Sequence, residues 1–185
     1  MSDPNFTILA YTENSPGVLQ RITIVFTKRK LNIESLTVSE TEVQDVSRFT
    51  IVVSCPREMA QKVAKQIRRI IEVKEVVLCE DSEVCFRELA LFKVRTCLGE
   101  ERARLETLLA KYMAEIVLEN ETGIMIENSG PEEETQELFA ALKPFGLKEF
   151  VRSGRIALLK AERAPEVEQT AHADTATEAE TLSWL

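Results

Sequence analysis

The chain has 185 residues, of which 44% are hydrophobic and 29% are charged, as is usual for a globular protein of one large domain or two small ones. Its net charge of −8 and pI near 4.9 argue against a nucleic-acid binder, since such proteins usually carry a basic patch and net positive charge. No apolar run is long enough to span a bilayer, and the polar residues 1–5 do not form a secretory signal. We therefore expect a cytoplasmic protein that contacts no membrane and whose cysteines are reduced and buried, namely Cys55, Cys79, Cys85 and Cys97.

The first half of the chain has the periodicity of a β-α-β-β-α-β unit. A helix should begin at Pro16 or Gly17 and end near Lys30, because apolar residues recur there at helical spacing and proline is favoured at the first helical position. A second helix should begin at Pro56. The expected strands, rich in apolar and β-branched residues, are 6–11, 32–39, 47–55 and 73–79. This order is the ferredoxin-like arrangement.

The second half repeats the order of elements without repeating the letters. A short acidic linker, 80–83, separates the two halves. The expected elements are a strand at 88–94, a helix at 100–111, a hairpin of 114–119 and 123–127, a helix from Pro131, and a last strand at 147–160 that breaks near Ser153. The predicted class is α+β, with two ferredoxin-like modules, each an antiparallel sheet with helices on one face. The predicted domains are 1–80 and 81–161, followed by an acidic tail, 162–185, that we expect to be disordered.

Catalytic chemistry is hard to find in the predicted modules. The single histidine, His172, falls in the tail, which excludes a histidine triad or a histidine metal site elsewhere. No P-loop and no dinucleotide-binding glycine motif is present. Carboxylate clusters such as 132–134 lie at helix starts, where they complement the helix dipole. The third strand has one aromatic residue and no glycine, which is unlike the RNA-binding version of this fold. The sequence thus favours a protein without an active site.

One segment is a candidate anion site. Residues 13–19 join the first strand to the first helix, whose first N–H groups have no partner within the helix and can bind a carboxylate. Gly17 would let a ligand approach the backbone, and Asn14 and Asn32 offer polar side chains. The alternative is a capped turn, because Asn14 and Ser15 are good N-cap residues. Spacing alone leaves both interpretations open.

The amino-acid sequence of this segment also resembles that of a known family. Residues 13–21 (E-N-S-P-G-V-L-Q-R) and 31–38 (L-N-I-E-S-L-T-V) resemble the ACT domain of the small regulatory subunit of acetohydroxyacid synthase, also called acetolactate synthase. Residues 47–51 (S-R-F-T-I) resemble the third strand of that domain. The second half is similar to the family at 87–94, at 121–123 and at 151–154. The resemblance spans about residues 6–160.

The resemblance implies a function and a site. Such a subunit has no active site; it joins a large catalytic subunit, raises its activity and confers feedback inhibition by valine in branched-chain amino acid biosynthesis. Thiamine diphosphate, magnesium and FAD are expected in the catalytic partner, with no cofactor in this chain. ACT domains commonly pair, so a homodimer with pockets shared between two chains is expected. The residues expected to bind the amino-acid effector are Asn14, Gly17, Val18, Leu19, Asn32 and Ile33. The alternative is a free-standing ACT-type sensor that regulates a different enzyme.

One position departs from the family pattern. The family commonly has glycine before the aromatic residue and asparagine that follow the first helix, whereas this chain has Lys30 and Leu31. If residue 30 is a left-handed helix cap, lysine should cost about 1 kcal/mol relative to glycine.

Overall fold

The computed structural model describes residues 3–161, so the predicted tail lies outside the described residues. The first module has the predicted order of elements. Its helices are α1 (Val18–Thr27) and α2 (Arg57–Ile67), and its strands are β1 (Asn5–Glu13), β2 (Ser35–Glu40), β3 (Val46–Ser54) and β4 (Val73–Glu80). The strands form an antiparallel sheet in the order β2-β3-β1-β4, which confirms the ferredoxin-like prediction.

Both helices of this module pack on one face of the sheet, as predicted. Side chains alternate along β1 and β3, so that Phe6, Ile8 and Ala10 face the helices while Thr7 and Leu9 face the opposite side. The helix-facing residues and the apolar stripes of α1 and α2 form one continuous core. This burial is the main source of the module's stability, because the helices are too short to be stable alone.

The second module repeats this architecture. Its helices are α3 (Gly99–Lys111) and α4 (Glu132–Leu142), and its strands are β5 (Val84–Val94), β6 (Glu115–Asn120), β7 (Gly123–Gly130) and β8 (Glu149–Arg152). The sheet order β6-β7-β5-β8 matches that of the first module, with a second core between sheet and helices. The predicted hairpin and both predicted helices are confirmed.

Two strand boundaries and the linker differ from the sequence prediction. The strand expected from Asn32 begins at Ser35, because the residues before it complete the turn after α1. The expected linker is a 3-10 turn, Asp81–Glu83, closed by a capping box between Glu80 and Glu83. The strand after it therefore begins at Val84 and runs for 11 residues, instead of beginning at Glu88.

The predicted last strand is two strands with different partners. β8 pairs with the second half of β5, whereas β9 (Ile156–Leu159) pairs with Val84–Arg87 in the first half of β5. We call the antiparallel pair formed by β9 and residues 84–87 the ribbon. Its Val84, Phe86 and Ala157 pack against Leu9 and Cys79, on the face of the first sheet opposite α1 and α2. The ribbon therefore covers the face of the first sheet that its own helices leave open.

Arg155 joins the ribbon to the first sheet. Its side chain is 2% exposed, and Nη1 donates to Asp81 Oδ1 at 2.6 Å and to Thr7 Oγ1 at 3.2 Å. The guanidinium carbon lies 3.6 Å from the centroid of the Phe86 ring, a cation–π contact. The backbone N–H of Arg155 donates to Ser35 Oγ at 2.9 Å. One buried residue thus connects β1, β2 and the ribbon, through its side chain and its backbone N–H.

The turn after α1 places Lys30 in the left-handed conformation for which a loss of stability relative to glycine was expected. Lys30 has φ 53°, and its N–H donates to Thr27 O at 3.0 Å while Leu31 N–H donates to Phe26 O at 3.1 Å. These are the two bonds of a Schellman cap, with Lys30 at the left-handed position. The corresponding helix of the second module, α3, ends in the same way with Met113 at φ 52°. Residue 30 is therefore a left-handed cap, which meets the condition under which lysine should cost stability relative to glycine.

We expect Lys30→Gly to raise the free energy of unfolding by about 1 kcal/mol, because glycine adopts this conformation without a Cβ clash. Urea denaturation of the two chains measures it. Lys28→Gly is the matched control: Lys28 has φ −60°, so glycine there should destabilise the protein by roughly 0.5–1 kcal/mol. A Lys30→Gly chain that is no more stable than wild type would contradict the strain at this cap.

Across residues 3–161, the structure contains no helix that is both long and apolar enough to cross a membrane.

Candidate functional site

The first helix begins at an open backbone turn. Gly17 is its N-cap, with φ 88° and ψ −11°, and within the described part of the chain no side chain caps this helix end. The first helical bond runs from Arg21 N to Gly17 O at 3.1 Å. The N–H groups of Val18, Leu19 and Gln20 therefore have no partner within the helix. A Cβ built on Gly17 would meet nothing within 4 Å, so the space beside Gly17 at this helix start is open.

Asn14 does not cap the helix, which argues against the capped-turn alternative at this residue. Its Nδ2 donates to Glu40 Oε1 at 2.7 Å, and its backbone N–H donates to Asp45 O at 2.8 Å. These bonds tie the loop after β1 to the end of β2, where Glu40 is the last residue. The Oδ1 of Asn14 is left to accept a hydrogen bond from an ammonium group. Sequence analysis missed Glu40, because the predicted strand ended at residue 39.

Asn32 and Ile33 lie in the loop before β2 and not on a strand. Asn32 is exposed and donates from Nδ2 to Glu34 Oε1 at 3.2 Å, while the half-buried Ile33 packs against the first core. Asn32 therefore presents its side chain at the surface, beside the start of β2.

The predicted site residues fall into two groups that one chain keeps apart. Asn14, Gly17, Val18 and Leu19 lie at the start of α1, whereas Asn32 and Ile33 follow its end. Ten helical residues separate the groups, which corresponds to about 15 Å of helix. The two groups also lie at opposite ends of β2. Asn14 bonds to Glu40, the last residue of β2, and Asn32 precedes Ser35, the first residue of β2. A single chain cannot close both groups around one small ligand.

β2 is the edge strand on this side of the sheet, with β3 as its neighbour. Large apolar side chains are exposed on β2 and on α1, namely Val38, Leu19 and Ile24. An edge strand flanked by exposed apolar side chains is typical of a surface that another chain covers.

The cysteines do not form a reactive centre. Cys55, Cys79 and Cys97 are buried, as expected, but Cys85 is exposed because its strand position faces outward from the ribbon, so the expectation of four buried thiols was wrong at that residue. Burial raises the pKa of the Cys79 thiol to about 11, which keeps it protonated at neutral pH.

Comparisons with known proteins identify the family. The AHAS small subunit-like ACT domain matches residues 8–75, and the family described as the small subunit of acetolactate synthase matches residues 87–161. The acetolactate synthase small subunit of Mycobacterium bovis is 34% identical over 163 residues, covering 88% of this chain and 96% of the relative. This chain belongs to the acetolactate synthase small-subunit family. The probable acetolactate synthase small subunit of Archaeoglobus fulgidus is 36% identical over 154 residues, covering 83% of this chain and 96% of the relative.

A solved structure supports the same family. The acetolactate synthase small subunit of Thermotoga maritima superposes with a TM-score of 0.76 at 26% identity, covering 85% of this chain and 98% of that one. The resemblance inferred from residues 13–21 and 31–38 is therefore confirmed, as is the pair of ferredoxin-like modules. Like its relatives, this small-subunit chain is of the regulatory type that belongs to an enzyme complex.

Proposed function

We propose that this chain is the regulatory subunit of an acetolactate synthase, that it activates a catalytic subunit, and that it confers feedback inhibition by valine. The observation that carries the proposal is the uncapped start of α1 at Gly17, in a member of the small-subunit family. Thiamine diphosphate, magnesium and FAD would be bound by the catalytic partner. This chain would supply the effector site.

The chemistry of the Gly17 turn suits an amino acid. The free N–H groups of Val18 and Leu19 and the positive end of the helix dipole favour the effector carboxylate. Asn14 Oδ1 and the neighbouring Glu40 carboxylate would receive the ammonium group. Leu19, exposed in the free chain, would contact the aliphatic side chain of the effector.

A second chain completes the pocket. β2 runs parallel to β1, so its end lies beside Asn14 and its start beside Asn32. If β2 pairs antiparallel with its copy across a two-fold axis, the start of one β2 meets the end of the other. Asn32 of one chain then lies beside Asn14 and Gly17 of its partner. This arrangement also covers Val38 and satisfies the β2 edge.

Regulation would follow from a shift between two arrangements of the dimer. Valine bridges the two chains in one arrangement, which activates the catalytic subunit less well. Thermodynamic linkage is reciprocal. If valine weakens the association of this chain with the catalytic subunit by some factor, binding of the catalytic subunit should weaken valine binding by the same factor.

A mixed dimer tests the shared pocket. We expect Gly17→Asp chains and Asn32→Ala chains each to lose calorimetric valine binding, because every pocket in those homodimers has one defective half. A dimer of one chain of each kind, isolated with two affinity tags, should regain one intact pocket of its two. A pocket built within one chain would leave both pockets defective, so no recovery in the mixed dimer would contradict the shared site.

Activation is tested separately, by adding the wild-type chain to its cognate catalytic subunit and measuring acetolactate formation. We expect higher activity that valine reduces. A chain that binds valine yet does not alter the activity of that subunit would instead support the free-standing sensor.

A further inference from the structure

The segment that joins β8 to β9 lies directly on β2. We call this segment, residues 153–155, the crossover. A Cβ built on Gly154 would overlap Thr37 Oγ1 and would lie 2.9 Å from Ser35 Oγ. It would also lie 3.1 Å from the carbonyl oxygen of Leu36, the residue between them on β2. The φ of Gly154 is not positive, so an alanine there would be opposed by β2 and not by its own backbone.

Hydrogen bonds hold the crossover on two sides. The backbone N–H of Arg155 donates to Ser35 Oγ on β2 at 2.9 Å. On the other side, the N–H of Ser153 donates to Leu89 O at 2.8 Å, and the N–H of Leu89 donates to Ser153 Oγ at 3.0 Å. Leu89 belongs to β5, an inner strand of the second sheet. The crossover is therefore bonded both to the edge strand of the first sheet and to an inner strand of the second.

Open space flanks this contact along β2. On one side, a cavity of about 510 Å³ lies between the start of β2 and the side chains of Glu88 and Arg152 in the second module. On the other side, a cavity of about 310 Å³ lies between Thr37 and Ser39 of β2 and the ribbon. Closely packed atoms pass a displacement on, whereas open space absorbs it. A shift of β2 should therefore reach the second module at the crossover.

β2 is also the strand on which the proposed effector site acts. Its last residue, Glu40, bonds to Asn14, and its first residue follows the loop that carries Asn32. The ribbon, by contrast, packs on β1 and β4 at Leu9 and Cys79, away from both halves of that site. An effector or a second chain at the ends and the edge of β2 thus acts on the strand that contacts the crossover.

We propose that the crossover transmits effector binding from β2 to the second module. When valine and a second chain engage β2, the strand shifts, the crossover shifts with it, and β5 and β8 of the second sheet respond. The second module then differs between the two arrangements of the dimer. This inference rests on the proposed function and adds to it the route by which effector binding is communicated.

Hydrogen exchange of the full chain, with and without saturating valine, tests the route. In the wild type, valine should slow the exchange of amides at the start of α1 and, by at least about threefold, of amides in 88–94 and 149–152. In Gly154→Ala, the protection at α1 should remain and the response of the second module should be lost, because the methyl group forces the crossover away from β2. Calorimetry should show valine binding within about threefold of wild type, since Gly17 and both asparagines of the site are retained.

Gly130→Ala is the matched control. Gly130 lies in the second module, also without a positive φ, and the nearest atom to a Cβ there is Glu134 Oε2 at 3.1 Å, the end of a flexible side chain. The same replacement is made without touching β2, so this variant should keep the full response of 88–94 and 149–152 to valine.

Ser35→Ala is a milder test of the same contact. It removes the acceptor of the Arg155 N–H and should reduce the response of the second module, and it decides the question if Gly154→Ala does not fold. An equal response in wild type and in the folded β2-contact variants would overturn the proposal. So would a wild-type chain that binds valine with no change in 88–94 or 149–152. A wild-type chain that binds no valine would contradict the proposed function itself, and the route would fall with it.

Discussion

A Gly17→Asp chain is expected to activate the catalytic subunit as the wild type does and to lose its inhibition by valine. The aspartate carboxylate would lie over the free N–H groups of Val18 and Leu19 and take the place of the effector carboxylate. The chain should still fold, since the added Cβ meets nothing within 4 Å and aspartate tolerates positive φ better than most residues. We expect a stability cost of about 1 kcal/mol from φ 88°.

Gly17→Asn is the matched control for this variant. Asparagine has nearly the same size and the same tolerance of positive φ, but it brings no negative charge. It should raise the valine concentration needed for half inhibition without abolishing inhibition. Acetolactate formation across a range of valine concentrations distinguishes the two variants. Inhibition of the Gly17→Asp complex at wild-type valine concentrations would show that the effector does not bind at the start of α1.

Arg155→Met is expected to lower the free energy of unfolding by roughly 3 kcal/mol, a larger loss than we expect at Gly17 or Lys28. Arg155 is buried, and its removal leaves Thr7 Oγ1 without its donor and separates Asp81 from its only ion-pair partner in the described chain. Methionine keeps most of the side-chain length and the packing on Phe86. The loss of stability therefore measures the contribution of the polar contacts of Arg155. Asp81 is 41% exposed and can be hydrated, which keeps the expected loss at the lower end of the range for broken buried pairs.

The control for Arg155 is an ion pair of the same type at the surface. Arg57 pairs with Glu80 and is 59% exposed, so Arg57→Met should cost no more than about 1 kcal/mol. Denaturant unfolding of both variants provides the comparison. Equal losses would mean that the Arg155 side chain contributes no more to stability than a surface charge.

The residues of the candidate effector site were proposed from the sequence, whereas their arrangement came only from the structure. The turn formers of 13–17 and the family resemblance of 31–38 made Asn14, Gly17 and Asn32 candidates without a structure. The spacing could not show that α1 places these residues about 15 Å apart, because both groups flank the same helix in sequence. Nor could it show that Asn14 binds Glu40, since that bond joins residues 26 positions apart.

The sequence by itself determined the order of elements and the helix-facing core, because these depend on side-chain periodicity. The break near Ser153 was predicted, but only the tertiary structure decided that the two halves of the last strand pair with different parts of β5. There a Cβ on Gly154 would overlap Thr37 Oγ1, and the chain must leave the second sheet to reach the first. The ribbon and the buried Arg155 both follow from that crossing. They join residues of β1 to β3 with residues of β5 and β9, and no local pattern encodes contacts at such separation.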